Sequence, residues 1–221
     1  FVEDDNVYMK TVKGPLKVDC IYRRLDDNFL DPKVFNKESV IGVPGLFKCW
    51  RKGNVGILNA IGTGIADDKV VYSYVNKMIV YYLGEQPILN QVETYLCNEE
   101  NQKKYVIENI SKLVVKPANA SGGYGIMIGP KAGKEEREEV IRKIKDNPRE
   151  FIAQPLETLS TAPTITKNDI EPRHLDLRPF VLSGKSNYVT TGGLTRVALR
   201  KGSTIVNSSQ GGGSKDTLIV E

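Results

Sequence analysis

The sequence predicts a mixed fold that begins as α/β and continues as α+β, with antiparallel sheets in its second half. Before residue 67, apolar runs suited to strands alternate with a stretch of helical periodicity. Beyond residue 150, apolar runs follow one another and are separated by turn residues instead of helices. The 221 residues are 40% hydrophobic and 26% charged, which is typical of a globular protein.

The first predicted segment covers residues 1–66. Gly14-Pro15 is typical of a turn between two strands. Val43–Arg51, with Pro44 in its first turn and Gly53 after its end, predicts a short helix. The strands of this segment are predicted over Asn6–Lys10, Lys17–Tyr22 and Val55–Asn59.

The second predicted segment covers residues 67–150. A helix is expected to begin at Asp67, because apolar residues follow at helical spacing and Gly84 ends the pattern. Two further helices are predicted over Gln102–Ile110 and Lys134–Lys145. The strands are predicted over Glu93–Cys97, Leu113–Lys116 and Ile126–Ile128, with a glycine-rich hairpin between the last two.

The third predicted segment covers residues 151–221 and consists of strands. They are predicted over Phe151–Gln154, Leu175–Leu182, Tyr188–Leu199 and Ser203–Val206. The polar tail contains Gly211–Gly213, for which two interpretations stay open. It either closes over a substrate or forms a mobile end.

Composition excludes several classes of function. The net charge of +4 is small and the basic residues are interspersed with acidic ones, so we expect no nucleic-acid partner. No apolar run approaches the length of a membrane span, so we expect no membrane partner. The three cysteines and the single histidine have no metal-ligand spacing, which favours reduced thiols and a cytoplasmic protein. Because the first residue is Phe1, we expect a piece of a longer polypeptide.

The segment Lys116–Gly125 combines a lysine at the end of a strand with a glycine-rich hairpin. Glycines allow positive φ and close backbone approach, so successive N–H groups can surround phosphate oxygens while the lysine supplies positive charge. The segment is neither a Walker A motif nor a Rossmann fingerprint, since no helix follows it. The alternative interpretation is a loose hairpin without a ligand.

A second group of polar residues lies in the last predicted segment. Asp176 and Arg178 are two residues apart on a predicted strand and therefore share one face, and Arg196 lies on the following strand. Inward-facing arginines are costly unless an anion or a carboxylate meets them. Alternatively, Asp176 and Arg178 neutralise each other on a solvated face. Near the end of an earlier strand, the backbone of Gln154–Leu156 could pair with the edge of a purine.

Taken together, these motifs resemble the circularly permuted ATP-grasp family (type 2), which is related in fold to glutathionylspermidine synthase. The stretches that carry the resemblance follow in order along nearly the whole chain: Ile21–Pro32, Gly42–Leu46, Asn59–Lys69, Leu113–Gly125, Phe151–Pro155, Pro172–Phe180, Gly192–Leu199 and Val206–Thr217. The resemblance implies a partial ATP-grasp fold. Residues 1–66 would be the end of a pre-ATP-grasp domain, 67–150 a nucleotide-binding lid subdomain, and 151–221 the core sheet.

The resemblance also implies site residues. Arg178 and Arg196 would be the catalytic residues that steady the transferred phosphoryl group and the acyl phosphate. The residues implied in nucleotide binding are Lys69, Lys116, Ser121, Gly122, Gly123, Tyr124, Gly125, Gln154, Leu156 and Asp176. Among them, the two lysines would contact phosphates, Gly122–Gly125 would be the mobile lid, and Gln154 with Leu156 the adenine hinge. For His174 a structural hydrogen bond is favoured over a catalytic role.

The cofactors implied by the resemblance are ATP and Mg²⁺. ATP-grasp ligases hold the metal with an acidic residue and a Glu-x-Asn pair, and no such pair with a strand context occurs in this chain. The metal ligands are therefore expected upstream of Phe1.

The function predicted for the parent protein is an ATP-dependent carboxylate–amine or carboxylate–thiol ligase, with the piece alone inactive. The expected partners are ATP, a small carboxylate or peptide substrate, and the rest of the parent polypeptide. Two alternatives stay open, namely a non-catalytic nucleotide-binding or scaffold module and a small-molecule kinase.

Overall fold

The computed structural model describes residues 1–119, 125–166, 169–204, 206–207 and 211–217. Contacts between residues divide the chain into two units, Phe1–Asn90 (unit 1) and Gln91–Glu221 (unit 2). The predicted segment boundaries after residues 66 and 150 remain predictions of domain organisation. No helix in the described ranges has both the length and the apolar character that a membrane crossing requires.

Unit 1 contains two small sheets. The strands are β1 (Val2–Glu3), β2 (Asn6–Thr11), β3 (Gly14–Lys17), β4 (Cys20–Tyr22) and β5 (Gly56–Leu58). Strands β1, β2 and β3 form an antiparallel sheet in that order, whereas β4 and β5 pair in parallel. The turn predicted at Gly14-Pro15 is wrong by two residues: Thr11 pairs with Gly14, so Val12 and Lys13 form a two-residue loop and Gly14 begins β3.

The helices of unit 1 are α1 (Asp27–Leu30), α2 (Leu46–Arg51) and α3 (Lys69–Met78). The prediction that α2 begins at Val43 is wrong, because Gly45 has φ +90° and this left-handed backbone precedes the first helical residue. The Asp68 side chain accepts a hydrogen bond from the Val70 N–H and caps α3, which continues as a five-residue π-helical turn and ends at Gly84. The core of the unit consists of Val7, Leu30, Leu46, Cys49, Val55 and Ile57.

The first sheet of unit 2 is antiparallel and has the strand order β6-β9-β7-β8. Its strands are β6 (Tyr95–Leu96), β7 (Leu113–Pro117), β8 (Met127–Ile128) and β9 (Phe151–Pro155), and the helices α4 (Glu100–Glu108) and α5 (Lys134–Asp146) accompany them. The pairing of Val115 with Met127 confirms that β7 and β8 are antiparallel neighbours, as a hairpin requires. The buried core consists of Cys97, Val106, Ile110, Leu113, Val115, Met127, Ala132, Ile144 and Ala153.

The second sheet of unit 2 is also antiparallel, with the order β10-β11-β12-β13. Its strands are β10 (Thr161–Ile165), β11 (Ile170–Ser183), β12 (Asn187–Ala198) and β13 (Gly212–Lys215). The strand predicted over Ser203–Val206 is wrong, because its described residues are irregular and β13 pairs with β12 instead. Gly212 is required there, since a Cβ at this position would lie 2.2 Å from the Val206 carbonyl oxygen. The mobile-end interpretation of the glycine run thus does not hold for Gly212 and Gly213.

Candidate functional site

A cleft of about 430 Å³ lies within unit 2, at the sheet that contains β7, β8 and β9. We call it the unit 2 cleft. Its size is within the range of small-molecule sites, and apolar side chains make up most of its walls. The apolar residues are Val92, Val114, Ile126, Ile128, Pro155, Leu156, Leu159 and Val206, and the polar ones are Lys116, Gln154, Glu157, Thr204 and Asn207.

Two of the predicted nucleotide-binding residues form a hydrogen bond in this cleft. The Lys116 ammonium donates to Oε1 of Gln154 at 2.6 Å, and Nε2 of Gln154 donates to Oγ1 of Thr94 at 2.8 Å. The register explains the contact: Gln154 pairs with Val114, so Lys116 is its diagonal neighbour on the same face of the sheet. Because both ends of the Gln154 amide are bonded and the residue is buried, its orientation is defined.

Strand β9 ends directly beside the hydrogen-bonded pair of Lys116 and Gln154. Strand β6 pairs with Ile152 and Ala153 and with no later described residue of β9, so the backbone beyond Ala153 has only β7 as a described neighbouring strand. Leu156 follows the strand, lines the cleft and is 41% exposed. The structure therefore brings together three predicted residues, namely Lys116, Gln154 and Leu156.

The predicted polar group of the second sheet is built around Asp176. This residue lies opposite Arg196 across β11 and β12. Both carboxylate oxygens of Asp176 accept hydrogen bonds from Arg196, at 3.0 Å from Nε and 2.5 Å from Nη2. These bonds lower the pKa of Asp176 below its ordinary value despite partial burial, and they raise the pKa of Arg196.

Arg178 is less tightly held. Its Nε lies 3.7 Å from Oδ2 of Asp176, and 55% of its side chain is exposed. The interpretation that Asp176 and Arg178 simply neutralise each other is therefore incomplete, because the hydrogen bonds of Asp176 go to Arg196. Arg178 carries an exposed guanidinium beside a carboxylate that already has a partner.

Asn207 connects this charged group to the unit 2 cleft. Its Oδ1 accepts a hydrogen bond from Nη1 of Arg196, and the residue lines the cleft. Sequence reasoning missed Asn207, and it missed Thr94, the partner of Gln154. Both lie outside the strands of the structure, since β6 begins at Tyr95, one residue after Thr94, and Asn207 lies between β12 and β13. For Asn207, the signal is that it lies in Val206–Thr217, one of the stretches that carry the family resemblance.

Two further parts of the predicted nucleotide site are Lys69 and the glycine-rich segment that ends at Gly125. Lys69 is the first residue of α3 in unit 1, where burial lowers its pKa while the neighbouring Asp68 and Asp67 raise it. Ser121, Gly122, Gly123 and Tyr124 lie outside the described residues. Gly125 has φ +70°, and a Cβ there would lie 2.9 Å from the Pro117 ring, so glycine is required at this position.

Two residues next to Asp176 have structural contacts. The buried Arg173 donates to Oε2 of Glu171 at 2.7 Å and to the Leu199 carbonyl at 3.2 Å. Nδ1 of His174 lies 2.8 Å from the Leu159 carbonyl oxygen. The bonds to Leu199 and Leu159 connect β11 to neighbouring segments, whereas the Arg173–Glu171 pair lies within the strand.

Within the described ranges, no group of three or more His, Cys, Asp or Glu side chains is placed to hold a metal ion. The two oxygens of Asp176 already accept hydrogen bonds from Arg196. The described residues thus do not fit a complete Mg²⁺ site, and we assign no step to one.

The fold and the cleft define the class of protein. Antiparallel sheets, with a lysine at the start of a β-hairpin and a glutamine beside it in an apolar cleft, are consistent with an ATP-grasp type of fold. The family model for circularly permuted ATP-grasp type 2 proteins matches residues 1–198, and the chain belongs to this family.

Relatives extend the comparison. The chain is 54% identical over its whole length to an uncharacterized protein of Synechocystis sp., of which it covers 46%. It is 52% identical over its whole length to an uncharacterized protein of Mycobacterium tuberculosis, of which it covers 40%. Over 98% of the chain it is 46% identical to a Frankia casuarinae protein named as a candidate glutamate–cysteine ligase, of which it covers 25%. The chain thus spans less than half the length of these relatives.

Proposed function

We propose that the unit 2 cleft binds ATP and that this chain is the nucleotide-binding part of an ATP-dependent ligase. The observation that carries the proposal is the hydrogen-bonded pair of Lys116 and Gln154 in an apolar cleft that Asn207 connects to Arg196. The family and the ligase name of a relative support the same class of reaction.

The walls of the cleft suit the two ends of a nucleotide. The flat apolar faces of a purine ring fit side chains such as Val114, Ile128 and Leu156, while polar groups at the end of β9 meet its hydrogen-bonding edge. The ammonium of Lys116 places positive charge beside this pocket, where it can pair with phosphate oxygens. Gln154 holds that ammonium in position through the bond to its Oε1.

Arg178 and Arg196 are proposed to have different roles. Arg196 is oriented by Asp176 and Asn207, so it acts as a fixed positive group beside the cleft. Arg178 is more than half exposed, so its guanidinium is accessible to an anionic substrate or a transferred phosphoryl group. Such fixed positive charges stabilise negative charge that develops during phosphoryl transfer.

The proposed reaction has two balanced steps. A carboxylate oxygen of the substrate forms a bond to the γ-phosphorus while the bond to the β–γ bridging oxygen breaks, which yields an acyl phosphate and ADP. An amine or thiol then attacks the acyl carbon, inorganic phosphate leaves, and the nucleophile loses a proton. We expect that the 221 residues by themselves do not turn over ATP.

ATP affinity tests the proposal directly. We expect Lys116→Met to weaken ATP binding by at least about tenfold in calorimetric titrations of the 221-residue chain, because a charge-assisted contact to phosphate is lost. Lys112→Met is the matched control, since Lys112 is exposed four residues earlier. Equal ATP affinities for the two variants, or no ATP binding by the unchanged chain, would contradict the proposal.

A further inference from the structure

A second cleft, of about 480 Å³, lies within unit 1 and belongs to motifs that the proposed function does not use. We call it the unit 1 cleft. Arg23 and Arg24 directly follow β4, and Asn59 directly follows β5. Since β4 and β5 are parallel, these residues meet at the carboxyl ends of both strands. Ligands of α/β sheets bind in crevices at this position, so the location itself points to a binding site.

Arg23 forms the floor of the cleft and not its ligand-binding group. Its side chain is only 7% exposed, and every guanidinium nitrogen is used. Nε donates to the Asn59 carbonyl at 2.7 Å, and Nη2 donates to the Ala60 carbonyl at 2.9 Å and to Oγ1 of Thr63 at 3.2 Å. Nη1 is paired with the carboxylate of Asp27.

Further hydrogen bonds of this network connect the loop after β4 to the loop after β5. Nδ2 of Asn59 donates to the Arg23 carbonyl at 2.9 Å, and the N–H of Gly62 donates to Oδ2 of Asp27 at 3.0 Å. Asn59 has φ +60°, a left-handed conformation that Asn adopts more readily than most residues other than glycine. The walls of the cleft are therefore preorganised by bonds between residues 23–27 and 59–63.

The charges that face the solvent in this cleft have both signs. Arg24, Asp26 and Asp67 line it and are exposed, while the charges of Arg23 and Asp27 compensate each other. One oxygen of Asp26 caps α1 through the Asn28 N–H at 2.9 Å. Lys69 lies close enough to Asp67 for the carboxylate to favour its charged form. The cleft thus presents carboxylates and a guanidinium on a fixed framework.

We propose that the unit 1 cleft binds a small zwitterion, an amino acid or a short peptide with a free ammonium and a free carboxylate. Asp67, assisted by Asp26, accepts the ammonium, and the Arg24 guanidinium forms the charge-assisted contact to the carboxylate. This site is additional to the proposed nucleotide site, and its binding needs no nucleotide.

Three related probes separate the two ends of the ligand. Calorimetric titrations of the 221-residue chain, without ATP, would use L-alanyl-L-alanine, its N-acetyl derivative and its C-terminal amide. The dipeptide should bind at least about tenfold more tightly than either derivative, because each derivative lacks one charged contact. The absence of nucleotide keeps the result independent of the proposed ATP site.

Substitutions then test which side chain binds the ammonium and which binds the carboxylate of the dipeptide. Asp67→Asn should weaken dipeptide binding about tenfold and leave the N-acetyl derivative nearly unchanged. Arg24→Gln should weaken dipeptide binding by a similar factor and leave the amide nearly unchanged. Asp146→Asn and Arg142→Gln, exposed positions on α5, are the matched controls and should bind as the unchanged chain does. Equal binding of the three probes, no binding of the dipeptide at millimolar concentration, or cleft variants that match the controls would overturn the proposal.

Discussion

The unit 1 cleft and the unit 2 cleft have an arginine in a similar role but differ in the rest of their lining. Arg23 lines the unit 1 cleft and is fixed by Asp27 and backbone carbonyls, and Arg196, bonded to the cleft residue Asn207, is fixed by Asp176. The unit 2 cleft is lined mainly by aliphatic side chains, with Lys116 and Gln154 as a bonded pair. The unit 1 cleft is lined mainly by charged and small polar residues.

This difference shows that a buried arginine does not by itself indicate a ligand. Its neighbours decide what the cleft can hold: apolar walls with few polar groups favour a flat ring, whereas exposed charges of both signs favour a charged small molecule. Both arginines are largely buried, but Arg23 donates to two backbone carbonyls, whereas the further acceptor of Arg196 is the side-chain amide of Asn207. Substitutions at the two networks should therefore differ in cost.

The largest effect is expected at Arg23. Arg23→Met should destabilise unit 1 by about 3 kcal/mol, because it leaves Asp27 without its buried partner and removes the donors to two backbone carbonyls. Trp50, the single tryptophan of the chain, lies in unit 1, so its fluorescence reports the urea unfolding of this unit. The exposed neighbour Arg24 is the control, and Arg24→Met should change the unfolding free energy by no more than about 0.5 kcal/mol. Equal effects of the two substitutions would remove the distinction between framework and ligand-binding arginines.

A smaller effect is expected at Asp176. Asp176→Asn should lower the unfolding free energy of unit 2 by about 1 kcal/mol at neutral pH, a value reduced from that of a buried ion pair because solvent reaches the carboxylate. Hydrogen exchange of peptides from β11 and β12 measures this loss. The substitution Asp146→Asn, on the exposed end of α5, is the control and should leave the exchange unchanged.

The pH dependence of the Asp176 effect has a defined sign. Arg196 lowers the pKa of Asp176 in the folded state below its ordinary value of 3.8. The stabilisation is therefore complete above this value and is lost as the pH falls through the lowered folded-state pKa. The difference between the Asn variant and the unchanged chain should shrink below pH 3.8, the ordinary value. A constant difference down to the acid limit would argue against the ion pair as its cause.

Local patterns in the sequence predict much of unit 2. Helix α5 and strands β7 and β8 are each indicated by the pattern of a short stretch of sequence. The structure contains all three, with β7 and β8 as an antiparallel pair. Strand β10 was not predicted, because Pro163 interrupts a short run that contains two threonines. The position of β13 depends on a close backbone approach at Gly212, which no periodicity reveals.

The sequence predicts which residues belong to the candidate site better than it predicts the contacts between them. Lys116, Gln154 and Leu156 lie in one cleft, as the family resemblance suggests. The bidentate pair of Arg196 and Asp176 depends on the register of two strands, in residues twenty positions apart, so the sequence analysis considered only the nearer Arg178 as a partner of Asp176. Asn207 and Thr94 lie in irregular segments, where tertiary packing decides the direction of each side chain.

The adenine of ATP is proposed to occupy the unit 2 cleft. Photolabelling with 8-azido-ATP, followed by peptide mapping, tests it most directly, because the reactive group is on the purine ring. The label is expected on peptides that contain residues 154–159 or 204–207, excess ATP should suppress it, and Lys116→Met should reduce it at limiting nucleotide. ATP-suppressible label on residues 23–27 or 59–67 instead, or label that excess ATP does not suppress, would contradict the claim.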